Sequence, residues 1–362
     1  MNSQKLRANA FYENLKSRIA TGLLPPGTKL PSETECMEMY EISRYSARKM
    51  LGRLEEEGLI QRKQGKGCFV MRADRCRAGK NSRQILLIAS RVENFYFLKS
   101  ISGIEKALLE EGYTLTIKLS NYDSHLEAEL LNKAFSEHYA GLLIFPSESA
   151  YLHTNLHLYR YIEERKIPCI SLGNKLCSTE IPSVTTDDYM GSYIAATHLI
   201  EKGHRFFVCI MNQEEYSGSM RYAGFIGGLH DRGISSDRCR ILWFGHEEID
   251  SFIEDRAEEI LKFAGTATAF FCFNDAAAVN LYELLTKKGF RVPEDVSIIG
   301  YDDSYLCEIN RTPLTALHQD PETAGYTAAK NLMELIKDET YNCNKVFVPY
   351  LVQRDSVADL TV

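Results

Sequence analysis

No stretch of this chain approaches the roughly 20 consecutive apolar residues that cross a bilayer, and no basic start followed by an apolar run marks a leader. The expectation is a cytoplasmic protein with no membrane partner. The ten cysteines, scattered from Cys36 to Cys343, form no C-x-x-C pair and no Cys/His cluster at zinc-ligand spacing. That excludes a disulfide framework and a structural metal, and leaves the thiols as small buried hydrophobes in a reducing compartment. Catalytic templates are missing as well. There is no G-x-S-x-G, no H-E-x-x-H, no G-x-x-x-x-G-K-[ST] and no full G-x-G-x-x-G after a strand. Asp302 and Asp303 are adjacent in sequence rather than placed across a bond. No catalytic residue, cofactor or metal is expected.

What is present is a charge asymmetry. The whole chain carries a formal −7, yet residues 1–84 hold 17 Lys+Arg against 9 Asp+Glu, a balance of +8, and the rest holds 25 against 40, a balance of −15. A basic head on an acidic body suits a polyanion that touches the head alone. The length, 362 residues at 44% hydrophobic and 25% charged, suits two or three globular domains.

In the head, Phe11, Leu15 and Ile19 recur every four residues and predict a helix over 10–21, which "GLLPPG" ends. Ser32 and Glu35 have capping-box spacing, so a second helix starts near Ser32. Ser43 offers the N-cap of a third, with Ala47, Met50, Leu51 and Leu54 as its apolar stripe and Gly58 as its end. Arg44, Arg48 and Lys49 fall on the first turns of that helix, and Glu55, Glu56 and Glu57 crowd its last. This reverses what the helix dipole prefers, so helix stability alone does not explain it. Two short strands, Leu59–Arg62 and Cys68–Met71, follow around a Gly65-Lys66-Gly67 tip. Together these elements spell a winged helix-turn-helix over 1–71, whose third helix enters the major groove while Lys66 meets phosphate. Residues 72–84, with no periodicity and five basic residues, read as an exposed connector.

Over 85–356, short apolar runs alternate with helical patterns: "ILLIAS", "YTLTIKLS", "GLLIF" and "PCISL", then, repeating after 183, "SVTTD", "RFFVCIM", "ILWFG", "TAFFCFN" and "VSIIGYD". The fold class is α/β, with parallel sheets covered on both faces in two successive subdomains. Ligands of such sheets sit beyond the carboxyl ends of strands. That points to Ser90, Phe145 to Glu148, Asn274-Asp275 and Asp302-Asp303. Carboxylates, amides, arginine and aromatic faces there suit a small polyhydroxylated ligand. Asn274 or Asp275 can equally cap the next helix, and Asp187 or Asp188 reads as a cap.

The segments "GLLPPGTKLPSE", "ISRYSARKML" and "GKGCFV" closely resemble the DNA-binding domain of GntR-type transcription regulators over residues 10–70. The resemblance implies DNA contacts from Glu33, Arg44 and Arg48, with Gly65 and Lys66 in the wing; Tyr45, Ser46 and Lys49, on the same first turns of the third helix, complete the candidate DNA-binding set. The family usually has a small or hydroxylated residue where Tyr45 stands. "VTTDDYMGSYIAATHLIEKGHR", "GSMRYAGFIGGL", "NDAAAVNLYELL" and "TPLTALHQDPETAGY" look like the LacI/GalR effector-binding region, whose fold is that of periplasmic sugar-binding proteins. That resemblance implies a sugar held by Arg221, Asn274 and Asp302, with Gln319, Ser90 and Tyr96 around the cleft and Phe145 and Glu148 at a strand end. It also implies a first subdomain of about 85–182 and 304–337 and a second of about 183–303 and 345–356. The pairing of the two parts resembles the arabinose-repressor group of bacterial regulators, through "GLLIFPSES", "YSGSMRYAGF" and "GYDDS". The expectation is a homodimeric repressor on operator DNA, released by a small sugar effector, L-arabinose or a related aldose, with a sugar-responsive activator or a non-regulatory sugar-binding protein as the alternative; a transport binding protein and a sugar-processing enzyme are the rival classes.

Overall fold

The computed structural model describes residues 2–20, 23–25, 27–56, 59–63, 66–70, 82–91, 95–150, 154–248 and 251–361. Gly22, Gly58, Gly65 and all of the connector up to residue 81 lie outside them.

In the head, α1 (Asn2–Ala20), α2 (Glu33–Tyr40) and α3 (Arg44–Glu56) precede the antiparallel pair β1 (Ile60–Lys63) and β2 (Gly67–Val70). The capping box forms as spaced: the Glu35 amide donates to Ser32 Oγ at 3.3 Å and the Ser32 amide to Glu35 Oε2 at 2.7 Å. Phe11, Leu15, Ile19, Ala47, Leu51 and Leu54 are buried together, so the stripes of α1 and α3 make one small core.

The body has two lobes. Its elements in chain order begin with β3 (Gln84–Ala89), α4 (Phe95–Glu110), β4 (Thr114–Leu119), α5 (Ser124–Ser136), β5 (Gly141–Ile144), α6 (Leu156–Glu164), β6 (Cys169–Gly173) and β7 (Ser183–Thr186). They continue with α7 (Asp188–Glu201), β8 (Phe207–Asn212), α8 (Tyr216–Asp231), β9 (Cys239–Phe244), α9 (Phe252–Asp255), α10 (Ala257–Ala264), β10 (Ala269–Cys272), α11 (Asp275–Lys287) and β11 (Ser297–Asp302). The last are β12 (Thr315–His318), α12 (Pro321–Lys337), β13 (Lys345–Phe347) and β14 (Tyr350–Val352). One sheet runs β13-β7-β6-β5-β3-β4, all parallel; the other runs β14-β12-β11-β10-β8-β9, parallel except for β14, which is antiparallel to β12.

Strand β3 shows why its sequence is apolar at every position after Gln84. Ile85, Leu87 and Ala89 pack into the core under α4 and α12, while Leu86 and Ile88 pack into the opposite one with α5 and α6 residues. Helices α4 and α12 meet backbone to backbone. A Cβ on Gly103 would lie 1.9 Å from the Glu322 carbonyl oxygen, so no larger residue fits that crossing.

Three segments belong to the other lobe from the one expected. Strand β7, read as the start of the second subdomain, pairs with β6 and buries Val184 in the first core. Strand β12, assigned with 304–337 to the first, pairs with β11 and buries Ala316 and Leu317 in the second. Strand β13, assigned with 345–356 to the second, pairs with β7 in the first sheet. The chain therefore crosses between lobes after β7, after β12 and after β13.

Candidate DNA-binding face and effector cleft

At the start of α3, Ser43 Oγ accepts the Ser46 amide at 3.1 Å and lies 2.9 Å from Ser46 Oγ, so Ser46 is engaged in the cap. Arg44, Tyr45, Arg48 and Lys49 project from the first turns as exposed side chains, Tyr45 at 76%. Glu33, on the first turn of α2, reaches across the turn. It accepts from Arg48 through both carboxylate oxygens, at 3.0 Å each, and from Arg44 Nε at 3.4 Å. The Arg48 hydrogen bonds hold the Glu33 carboxyl below its ordinary range despite some burial, with Arg44 adding to the effect. Glu33 thus braces the two arginines rather than offering a charge to phosphate. Lys66 stands exposed beside Gly67, whose φ of +103° turns the wing. Gly65, the other wing residue expected to touch DNA, is outside the described residues.

The body's main cleft, about 550 Å³ including the part open to solvent, lies between the lobes at the strand ends. It gathers Tyr96, Phe145, Arg221, Asn274, Asp302 and Gln319 from the expected set. Ser90 is buried and Glu148 half-buried, and neither lines it. The residues that sequence reasoning missed include Asn174, Asp188, Glu215 and Phe273. Phe145 packs edge-on against Tyr96 and Phe97, and two residues further on Ser147 belongs to a buried network. The Glu127 carboxylate accepts from the Ser147 amide at 2.7 Å, Tyr159 Oη at 2.6 Å and Asn155 Nδ2 at 3.0 Å.

Arg221 is the electrostatic centre. Its guanidinium sits 3.6 Å from the centre of the Tyr301 ring and 4.6 Å from that of Phe273. Its Nε donates to Asp188 Oδ1 at 2.8 Å, and Nη1 to the Phe273 carbonyl. Burial works against the Arg221 charge, but Asp188, Tyr301 and Asp302 together more than offset this and hold the proton more tightly than usual. Burial pushes the Asp188 carboxyl up against the pull of Arg221. Asp187, the preceding residue, takes the helix cap by accepting the Met190 amide at 3.0 Å. Asn274 takes the cap of α11 through the Ala277 amide and also lines the cleft.

Asp302 and Asp303 both have positive φ, +109° and +57°, a conformation that side chains rarely adopt without a local reason. The twist sends neighbouring carboxylates to different work. Asp303 binds His318 Nδ1 at 2.8 Å and Arg354 Nη1 at 2.7 Å, while Asp302 lines the cleft and accepts from Gln319 Nε2 at 2.5 Å. Burial and the nearby Asp275 carboxylate push Asp302 well above the usual carboxyl range. Gln319 Oε1 in turn accepts from Thr186 Oγ1 at 2.8 Å. Thr186 ends β7 and Gln319 follows β12, so this chain of bonds ties a cleft carboxylate to two of the three interlobe crossings.

The lobes are bonded directly as well. Asn174 donates to Glu215 Oε2 at 3.1 Å and accepts the Ser217 amide at 2.9 Å, and Ser149 Oγ accepts the Tyr216 amide at 2.8 Å. The arrangement is a narrow cleft with acceptors at Asp188, Asp302 and Glu215, donors at Arg221 and Gln319, and aromatic walls. Among the described residues no group of His, Cys, Asp and Glu could hold a metal ion, and no helix is long and apolar enough to cross a membrane.

The family model for bacterial regulatory proteins of the gntR family matches residues 7–70, and that for the periplasmic binding protein-like domain matches 196–357. The arabinose metabolism transcriptional repressor of Halalkalibacterium halodurans is 30% identical, over 97% of this chain and 96% of its own. The chain belongs to the family of GntR-type transcriptional repressors with a periplasmic-binding-protein-like body. A second relative of this repressor, of the same printed name from Geobacillus stearothermophilus, is 28% identical over 96% of each chain. Among solved structures, a LacI family regulator from Enterococcus faecalis with bound ribose is 28% identical, with a TM-score of 0.66 over 77% of this repressor and all of that chain. These relatives are regulators, so the repressor's family is not one of enzymes, and its target is operator DNA.

Proposed function

We propose that this repressor works in the cytoplasm as a homodimer, holds operator half-sites through its two heads and is released when a small sugar, L-arabinose or a related aldose, occupies the cleft. The observation that carries the reading is the bond chain from Asp302 through Gln319 to Thr186. A sugar hydroxyl that competes for Asp302 changes the contacts of two interlobe crossings at once. Such a ligand shifts the lobes only by the difference in its affinity for their two arrangements. The names of the arabinose-metabolism relatives and the ribose-bound neighbour support a sugar.

In this reading Arg44, Tyr45, Arg48 and Lys49 face bases and backbone in the major groove, with Glu33 and Ser46 positioning them and Gly65 and Lys66 at the flanking phosphates. Arg221, Asp302, Asn274 and Gln319 bind hydroxyls, and Tyr96 and Phe145 cover the sugar's C–H faces. Two heads on one dimer call for half-sites about one helical turn or more apart. The test is a thermal-shift panel of aldopentoses and aldohexoses, since a ligand of the native state raises the melting temperature. The best hit is then added to the operator complex. A stabilising sugar that releases the operator supports the proposal; a stabilising sugar that tightens the complex, or catalytic turnover of the sugar, overturns it.

A further inference from the structure

Helix α8 carries Arg221, and its first turn is completed by the other lobe. Its N-cap residue, Glu215, makes no side-chain cap bond. The Gly218 and Ser219 amides turn back to the Glu215 carbonyl, which leaves those of Tyr216 and Ser217 without a partner in their own helix. Side chains of the first lobe take both. Ser149 Oγ, beyond β5, accepts from Tyr216 at 2.8 Å, and Asn174 Oδ1, beyond β6, accepts from Ser217 at 2.9 Å. Return bonds run the other way: the Glu214 carbonyl accepts the Ser149 and Ala150 amides at 3.1 Å each, and Glu215 Oε2 accepts from Asn174 Nδ2 at 3.1 Å.

The loop that enters α8 is fixed within its own lobe. Asn212 Oδ1 accepts the Glu214 and Glu215 amides at 2.7 and 3.0 Å, and Glu214 Oε2 accepts the His246 amide at 2.6 Å. A Cβ on Gly218 would lie 1.9 Å from the Asn212 carbonyl oxygen, so the helix start sits directly on the end of β8. Lobes that part therefore break the interlobe bonds together and hand two helix amides to water. Lobes that meet complete the helix. Arg221 stands about one turn beyond Ser217, so the same bonds set its place opposite Tyr96 and Phe145 on the far wall of the cleft.

We propose that Ser149 and Asn174 are positioning residues that cap α8 from the opposite lobe, so that the cap is part of the free energy of lobe closure and of the hold on an effector beside Arg221. The inference rests on the sugar-effector reading above for its ligand. Ser149 gives the cleaner test, because it is buried and does not line the cleft, whereas Asn174 does.

Hydrogen exchange resolved to single amides, on the full chain without ligand, provides the first readout for Ser149→Ala. A latch opens as a unit. Exchange should quicken at Ser217 and Ala150 as well as at Tyr216, by about three- to thirtyfold, the range that loss of a capping oxygen spans, while amides further along α8 keep their protection. Affinity for L-arabinose should fall by a similar factor through faster dissociation, with association no slower. Tyr216→Pro is the second probe: proline fits the first helical position without its amide, and Glu215 before it is already extended, at φ −100° and ψ 140°. Measured against Tyr216→Ala, it should repeat the Ser149→Ala loss, and the two combined should lose no more than either alone. A change confined to the Tyr216 amide overturns the proposal, since the bond is then only local. Unchanged affinity, or a loss carried by slower association, also overturns it. Should Ser149→Ala loosen the whole of α8, the difference between Tyr216→Pro and Tyr216→Ala decides by the same criteria. Failure of L-arabinose to bind overturns that effector, and the exchange pattern then upholds or overturns the cap by itself.

Discussion

Two arginine–carboxylate pairs carry the two ends of this repressor, and they differ in almost everything but chemistry. Arg48 and Glu33 meet in water, with the arginine 60% and the glutamate 23% exposed. Arg221 and Asp188 meet at 6% exposure each, with the arginine clamped between two rings. An exposed pair is held loosely and screened by salt, so a polyanion can compete for its cation. A buried pair cannot lose one partner without stranding the other. Under the proposed function, the difference gives the head a carboxylate that aims cations meant for another partner, and the cleft a carboxylate that keeps a cation fixed while neutral ligands come and go.

The sharpest way to break the comparison is in the cleft. Asp188→Ala leaves the Arg221 charge buried without its partner and should destabilise the protein by about 3–5 kcal/mol, seen as a large fall in melting temperature together with loss of sugar binding. If stability is unchanged, the cleft pair is no tighter than the one in the head. A smaller effect comes from Asp275, one residue along α11 from the Asn274 cap. One of its oxygens accepts the Ser304 amide at 2.6 Å and the other has no partner. Burial pushes its carboxyl up to about 6, against an ordinary 3.8, with Asp303 adding to the shift. The folded state therefore holds a proton that the unfolded chain has released. Stability from this group is complete below its unfolded value and is lost as pH rises through about 6. Melting temperature should fall between pH 4.5 and 7, and Asp275→Asn should flatten that slope, an effect on the order of 2–3 kcal/mol at most.

The head was legible from sequence because its signals are local. The Ser32/Glu35 spacing and the Ser43 cap are short-range hydrogen bonds, and the structure forms both. The alternation of strands and helices in the body was legible for the same reason. Which sheet a strand joins was not, because "SVTT", "TALH" and "KVF" are short and fit either lobe; only the pairing partner decides. Asp187 and Asp188 look alike in sequence. The first occupies the cap, and the second, one step around the helix, meets Arg221 from another element. Ser90 and Glu148 satisfied the strand-end rule and still miss the cleft, since the rule places a backbone and does not aim a side chain.

In the head the expected effects are on affinity rather than stability. Arg48→Ala should weaken operator binding by roughly ten- to a hundredfold, if it reads a base edge, and leave sugar affinity unchanged. Loss of both together would mean that head and body do not act as separate modules. The smallest change is the most informative about the comparison. Glu33→Gln keeps the shape of the brace and removes its charge, so Arg44 and Arg48 keep a hydrogen-bond acceptor but lose the Coulombic hold. Melting temperature should stay where it was, because the pair is exposed. Two freed cations should raise binding to unrelated DNA a few-fold, while operator binding gains nothing, since its geometry is less well set. The ratio of specific to non-specific affinity, measured at one salt concentration, should therefore narrow. An unchanged ratio would show that the Glu33 carboxylate aims nothing, and that the two pairs differ only in burial.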